Sequence, residues 1–387
     1  MSHPPVAYPS RRSPVMGDAM VATSQPLAAQ AGLLALAEGG NAVDAALAAA
    51  AALTVVEPSG NGLGSDAFAI VWDGTALHGL NASGRSPAGW TPDRFAGHAA
   101  MPRMGWDAVT VPGAVGAWTA LSDRFATLPF DRLLAPAIRY AEHGFPVSPV
   151  IARRWKHDAA LLGAQPGFAD HFMPGGRAPV AGERFASAEM AATLTQIAET
   201  RGEAFYRGPI AERIAAEAAR HGAALSAEDM AAEAPDWCGT VSAGFDDLAL
   251  HEIPPNGQGI VACMALAMLA HTPIRDLGAD DPAALHLQIE AIKLAMADAD
   301  AFVADMAHMA AVTAADLLDP GYLAARARLI DPGRAQDFGA GAPRDGGTVY
   351  LTTADASGMM CSYIQSNYSG FGSGVVVPST GISLQNR

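Results

Sequence analysis

A chain of 387 residues, half of them hydrophobic and 40 of them glycine, is long enough for one large α/β unit or for roughly two or three domains with their own cores. Its formal charge is −15, from 39 acidic and 24 basic residues; a field of that sign repels phosphates and argues against nucleic acid and anionic membranes as partners. The three cysteines, Cys238, Cys263 and Cys361, stand far apart in no metal-ligand spacing, so neither a disulfide framework nor a metal site is expected and no cofactor is called for.

Met1 to Gly17 contains Arg11-Arg12 but no apolar core, so it does not read as a secretory signal. The apolar run Ala45–Val56 is too short to cross about 30 Å of hydrocarbon. A soluble cytoplasmic protein is the simplest expectation. Ser24-Gln25-Pro26 predicts a helix start, with Ser24 as cap and Pro26 in the first turn, running to Gly39-Gly40. A second helix from Asn41 to Val56 is apolar all round, which predicts burial on every side, and Glu57-Pro58 ends it. The glycine-rich run Ser59–Ser65 then precedes a strand, Ala67–Trp72. A phosphate-cradling loop needs the order strand, glycines, helix; here the order is helix, glycines, strand, and that reading is set aside.

The middle of the chain is predominantly helical. Helices are predicted over Ala114–Leu121, Phe130–His143, Ala188–Thr200, from Gly208-Pro209 to Gly222, Ile260–Leu269 and Ala283–Ala304, with proline opening and glycine closing the fourth. A short helix follows Ser226 as cap, and Gly239–Leu248 predicts a strand. His286, Glu290 and Lys293 share one helix face; one His and one Glu do not make a metal site, and a surface Glu290–Lys293 pair is expected. The span 333–347, rich in Gly, Pro and Arg, reads as an exposed linker.

Thr348–Thr353 and Met359–Ser366, joined by Asp355-Ala356-Ser357-Gly358, read as a β-hairpin. Gly346-Gly347 sits just before Thr348, leaving a peptide whose carbonyl no side chain shields. Such a run is ordinarily a plain loop-to-strand junction. It also suits an N-terminal nucleophile, because a Thr hydroxyl needs an adjacent base and a Thr freed by cleavage carries its own, the α-amine.

Residues 345–374 resemble the autoprocessing site of the γ-glutamyltransferase (glutathione hydrolase) family of N-terminal nucleophile hydrolases. Thr348 opens the strand, Gly358 makes the turn, and Phe371-Gly372-Ser373-Gly374 forms the later loop. Gly39–Val56, Glu57-Pro58 and the following glycines resemble the large-subunit motif of the same family. The resemblance spans about Val21 to Arg387. It implies an α/β (α+β) fold, a four-layer αββα sandwich whose C-terminal part is truncated here. Residues 1–347 would be a large-subunit-like region and 348–387 the start of a small-subunit-like one.

The implied chemistry is self-cleavage between Gly347 and Thr348, then ping-pong acyl transfer from a γ-glutamyl amide such as glutathione to water or an amino acid. Thr348 would be nucleophile and, through its amine, base. Ser366 falls where the family has a second Thr on the partner strand. Arg85, in the loop Leu80–Pro87, would pair with the substrate α-carboxylate, as a planar guanidinium suits, and Asn367 and Tyr368 would contact substrate. Two departures bear on this. Arg85 stands two residues before Pro87, whereas glutathione-type members have it four before, and Tyr368 replaces a substrate-contacting Asn. These favour an alternative, an amidohydrolase acting on a β-lactam side chain or oxamate. The family also continues past the end of this sequence, where it carries the acidic residue for the substrate amine and the oxyanion donors. A missing C-terminal segment or second chain, or an inactive fragment, is therefore a further expectation.

Overall fold

The computed structural model describes residues 14–338 and 347–386, with Gly347 and Thr348 through their backbone. Its centre is a five-stranded antiparallel sheet. In chain order the strands are β1 (Met20–Thr23), β2 (Asp66–Trp72), β3 (Leu77–Ala82), β4 (Gly347–Ala354) and β5 (Met360–Tyr368), lying side by side as β1-β4-β5-β2-β3. The longer helices are α1 (Pro26–Ala37), α2 (Ala42–Val56), α3 (Ala114–Phe125), α4 (Phe130–His143), α5 (Pro149–Leu162), α6 (Ala188–Thr200), α7 (Pro209–Arg220), α8 (Gly259–Leu269), α9 (Pro282–Phe302) and α10 (Pro320–Ala327). Among the described residues no helix is long and apolar enough to cross a membrane.

Alternation along the strands puts Val349, Leu351, Cys361, Tyr363, Ala67, Ala69 and Val71 on one buried face, as a half-covered sheet requires. Helix α2 lies against that face, buried along its whole length. Its alanines leave little side chain between helix and sheet, so α1, α4 and the strands all pack close to it. The opposite face carries Tyr350 and Met360, each 50 % exposed. The fold is α+β, and the described residues supply a helical layer and one sheet of the αββα arrangement. A second apolar cluster, Ile260, Met264, Met268, Leu287, Leu294 and Leu323, joins α8, α9 and α10.

Local signals explain most element ends. Asn41 caps α2 in a reciprocal box with Asp44, and Glu57 closes it. Helices α4 and α6 span the expected residues. Three expectations change. Gln25, not Ser24, caps α1, accepting from Leu27 N–H at 2.7 Å, because Ser24 donates to the buried Glu57 at 2.5 Å. Gly239–Leu248 is not one strand: Val241–Phe245 and Leu248–Glu252 form a hairpin that turns at Asp246 in the left-handed region, φ 55°. Glu290 is not a surface residue. It is 1 % exposed, bonded to Lys293 Nζ at 2.7 Å and to Gln336 N–H at 3.0 Å, while His286 donates to Asp331 O at 2.8 Å. These contacts fasten the start of the expected linker to α9. Of that linker, 339–346 lie outside the described residues, as do 1–13 of the N-terminal segment.

Asp44 ties the helical layer to the rest. Fully buried, its carboxylate accepts from Asn41 N–H at 2.8 Å, Thr127 N–H at 3.0 Å and Thr127 Oγ1 at 2.6 Å. Two residues earlier in the same turn of chain, the N-terminus of α2 grips the hairpin: Ala42 N–H donates to Asp355 Oδ2 at 2.9 Å and Ala42 O accepts from Thr353 Oγ1 at 2.6 Å. Asp44→Ala leaves several donors buried and unpaired, so a loss of about 3 kcal/mol in unfolding free energy is expected, read from urea denaturation. An unchanged midpoint would contradict this account of the α2 cap.

Candidate active site

The site is built at the open end of the β4–β5 hairpin. From Ala354↔Met360 to Val349↔Gln365 the two strands pair residue for residue, and then the register shifts, so that Gly347 pairs with Tyr368. Thr348 therefore stands alone opposite Ser366 and Asn367, the two-against-one count of a β-bulge. Such bulges bend a strand and re-aim its residues, and they recur beside active sites. Tyr368 completes the irregularity with φ 75°, and its N–H donates to Ser366 Oγ at 2.7 Å. Ser366 is fully buried and pairs across β2 with Asp66. The structure thus brings Gly347, Thr348, Ser366, Asn367 and Tyr368 together at one strand end.

Beneath this end lies a buried polar layer that sequence reasoning missed. Asn367, fully buried, accepts from Ser65 Oγ at 2.8 Å and donates to Ser383 Oγ at 3.2 Å. Its backbone N–H reaches Gly60 O at 3.3 Å and its carbonyl accepts from Asn386 N–H at 3.1 Å. Its amide side chain is thus engaged inside the protein, and these contacts make it a scaffold for the bulge. The layer continues sideways. Gln365 donates to Asn61 Oδ1 at 2.9 Å and accepts from Tyr363 OH at 2.9 Å, and Trp118 Nε1 donates to both Tyr363 OH and Gln365 Oε1 at 3.0 Å. In a low-dielectric interior such a satisfied network fixes one arrangement of the strands.

The glycine-rich run between α2 and β2 receives chain instead of phosphate. The segment 383–385 lies on it, with Gly64 N–H donating to Ser383 O at 3.1 Å and Gln385 N–H to Gly64 O at 3.0 Å. A Cβ on Gly64 would stand 2.2 Å from Ser383 O. From there Gln385 Nε2 reaches Val111 O at 3.1 Å and Ser83 O at 3.4 Å, which anchors the Arg85 loop. Gly84 holds φ +79° with its α-carbon against Val111 O, and Arg85 O accepts from Val111 N–H at 2.9 Å. Arg85 itself is exposed. Asn386 closes the circuit by accepting from Ser369 N–H at 3.0 Å and donating to Arg103 O at 2.7 Å.

Three carboxyls around the site are perturbed. Burial raises Glu57, against the pull of Ser24 and Arg154. Burial pushes Asp158, whose carboxylate lies against Gly370 of the following loop, up to about 6. Glu233, buried beside the Arg85 loop, is pushed up to about 7 by burial, with the charge and backbone N–H of Arg85 opposing. Glu57 belongs to the large-subunit-like motif, whereas Asp158 and Glu233 carried no motif and only the fold brings them to the site. Among the described residues no group of three or more His, Cys, Asp or Glu is placed to hold a metal ion.

Asn367→Ala strands the Ser65 and Ser383 hydroxyls, so an unfolding free energy lower by about 2 to 4 kcal/mol is expected; Ser383→Ala, which removes one bond, should cost about 1 kcal/mol. Equal effects in denaturant titrations would contradict the network.

Comparison with known proteins places this geometry in context. The Gamma-glutamyltranspeptidase family profile matches residues 28–387. A glutathione hydrolase-like proenzyme (YwrD) of Bacillus subtilis is 37 % identical over 375 residues, 95 % of this chain and 70 % of the relative. The oxamate amidohydrolase proenzyme of Klebsiella pneumoniae is 37 % identical over 378 residues, again 95 % of this chain and 70 % of the relative. The crystal structure of cephalosporin acylase from Bacillus halodurans superimposes with a TM-score of 0.92 at 46 % identity, covering 100 % of this chain and 73 % of that one.

Proposed function

The chain belongs to the gamma-glutamyltranspeptidase family, and on that premise we propose that it is a precursor that cleaves itself at Gly347–Thr348 to become an amidohydrolase. The observation that carries this reading is the bulge that leaves Thr348 alone opposite Ser366 and Asn367, directly after a glycine, at the open end of a strand anchored from beneath.

In the first step Thr348 Oγ attacks the Gly347 carbonyl carbon. The C–N bond breaks, the nitrogen takes the hydroxyl proton, and an ester joins Gly347 to Oγ. Water then hydrolyses the ester, leaving Thr348 with a free α-amine. An α-amine of pKa about 8 lies close to neutral pH, where a general base works best and contributes about 10²–10⁴ in rate. In turnover that amine takes the proton from Oγ as Oγ attacks the substrate amide. The leaving amine departs with a proton, and water or an amino acid resolves the acyl ester. Ser366, on the facing strand, would hold Oγ in place, while Arg85, exposed and tied to the same circuit through Gln385, would meet a carboxylate of the acyl group.

γ-Glutamyl amides, glutathione among them, are the first acyl donors this reading selects. Amides with a different acyl group, a β-lactam side chain or oxamate, are the second, favoured by the position of Arg85 relative to Pro87, by Tyr368, and by relatives named as oxamate amidohydrolase and cephalosporin acylase. We place the reaction in the cytoplasm, a reducing compartment that suits three free cysteines, with small amides, water and amino acids as substrates and a further C-terminal segment or second chain as a partner.

Steady-state assays on γ-glutamyl anilide, a glutaryl β-lactam amide and oxamate test the reading. The wild type should hydrolyse at least one and trap as an acyl ester on Thr348 when quenched with acid. Thr348→Ala should lose at least about 10³-fold in kcat/KM. Turnover that survives Thr348→Ala would overturn it.

A further inference from the structure

The chemistry above makes no use of Glu57, yet its carboxylate lies at the side of the same strand end. It follows α2, is 2 % exposed, and joins two other elements. Ser24, the residue directly after β1, donates to Oε2 at 2.5 Å, and Arg154 of α5 reaches Oε1 with Nη1 at 3.4 Å. The Arg154 side chain is itself 57 % exposed. Strand β1 pairs with β4 as far as Thr23↔Leu351, so Ser24 stands beside the start of β4.

The backbone of Glu57 begins the turn that carries the bulge. Glu57 O accepts from Gly60 N–H at 3.0 Å and from Asn61 Nδ2 at 3.1 Å. Within that turn Gly60 O accepts from Asn367 N–H and Ser59 O from Phe371 N–H, both at 3.3 Å. The turn is also wedged in place: a Cβ on Gly60 would stand 2.8 Å from Val349 Cγ2 and 3.6 Å from Glu57 Oε1. One helical turn beyond Arg154, Asp158 lies against Gly370, so α5 meets the loop after Tyr368 as well. The carboxylate stands where β1, α5 and this turn converge on Val349 and on residues 367–371.

Stability does not account for a carboxylate at this place. Burial raises Glu57 above the usual carboxylate range, and its cation is mostly in water. Such a pair adds little stability once desolvation is counted. What it supplies is direction. An ionised carboxylate accepts through both oxygens, here from Ser24 and Arg154 at once, whereas an amide presents a single acceptor.

We propose that Glu57 is the positioning residue of the strand end that carries Thr348: held by Ser24 and Arg154, it fixes the turn from Glu57 to Asn61, and through that turn the bulge. It acts through the turn and not on the reacting atoms. The inference rests on the reading of Thr348 as nucleophile. It adds the group that holds the cleavage junction from the side, where the layer beneath Asn367 holds it from below.

Two measurements separate position from stability. In a Thr348→Ala background, amide exchange read by mass spectrometry over residues 366–372 reports on the strand end whether or not the chain can cleave. Glu57→Gln should speed exchange there about tenfold, the effect of one hydrogen bond to a charged group. The Thr127 and Leu128 amides, which donate to Asp44, should exchange as before. In the chain that keeps Thr348, Glu57→Gln should slow cleavage at Gly347–Thr348 about tenfold and Arg154→Gln about threefold, at nearly the same urea midpoint. Arg154→Lys, which keeps the cation, should restore the rate. Should Glu57→Gln fail to fold, Arg154→Gln at the surface carries both measurements. Exchange over 366–372 that does not change overturns the proposal, and so does exchange that quickens equally at Thr127. A wild-type chain that never cleaves, but whose strand end loosens in Glu57→Gln, keeps this proposal and sinks the nucleophile reading. A chain that cleaves equally fast with and without the Glu57 carboxylate does the reverse.

Discussion

The structure depends on one constraint: the open end of the β4–β5 hairpin must stay irregular, and an irregular strand end in a protein interior leaves backbone polar groups to be satisfied. Regular pairing stops at Val349↔Gln365. Beyond it, the groups freed by the bulge find partners in Gly60, Ser65, Ser383 and Asn386. Without those partners each buried group would cost about 1–3 kcal/mol, and the strand end would relax toward a regular ladder. The layer beneath Asn367 is what makes the bulge the stable arrangement.

This explains why the most glycine-rich and alanine-rich stretches of the chain surround the site. Segment 383–385 can satisfy the bulge only by lying directly on Gly62–Gly64, and helix α2 can support the sheet from behind only if its side chains are small. The polar layer and the close-packed helix are two sides of one requirement, a rigid floor under a strand end. On the proposed mechanism a rigid floor is what the reaction requires, because pre-positioning of reacting groups can account for a large share of a barrier. The backbone of Arg85 joins the same floor through Val111 and Gln385.

Much of this was legible in the sequence, and what was not has a common cause. The helix limits at Phe130–His143 and Ala188–Thr200 follow from amphipathic periodicity, and the hairpin from two β-rich runs around the turn Asp355-Ala356-Ser357-Gly358. Gly347, Thr348, Ser366, Asn367 and Tyr368 were named from the family resemblance, and the hairpin they share is what brings them together in the structure. The failures are tertiary. Ser24 is a good cap that was claimed by Glu57, and Gln25 took its place. Asp246 adopts a left-handed conformation inside a run that otherwise reads as one strand. Glu290 is buried because Lys293 and Gln336 cover it, and Gln336 is far away in sequence. Ser65, Ser383, Asn386 and Glu233 have no motif; each gains its meaning from a residue well over a hundred positions distant.

The central claim is that Thr348 is a nucleophile released by the chain itself. Intact mass and N-terminal sequencing of the purified wild type and of Thr348→Ala, followed over days at neutral pH, test it most directly. The account predicts that the wild type separates into two pieces meeting at Gly347 and Thr348, the smaller beginning with Thr348, while Thr348→Ala stays whole. A wild-type chain that remains uncut while folded, or a Thr348→Ala chain that is cut at the same bond, would contradict it.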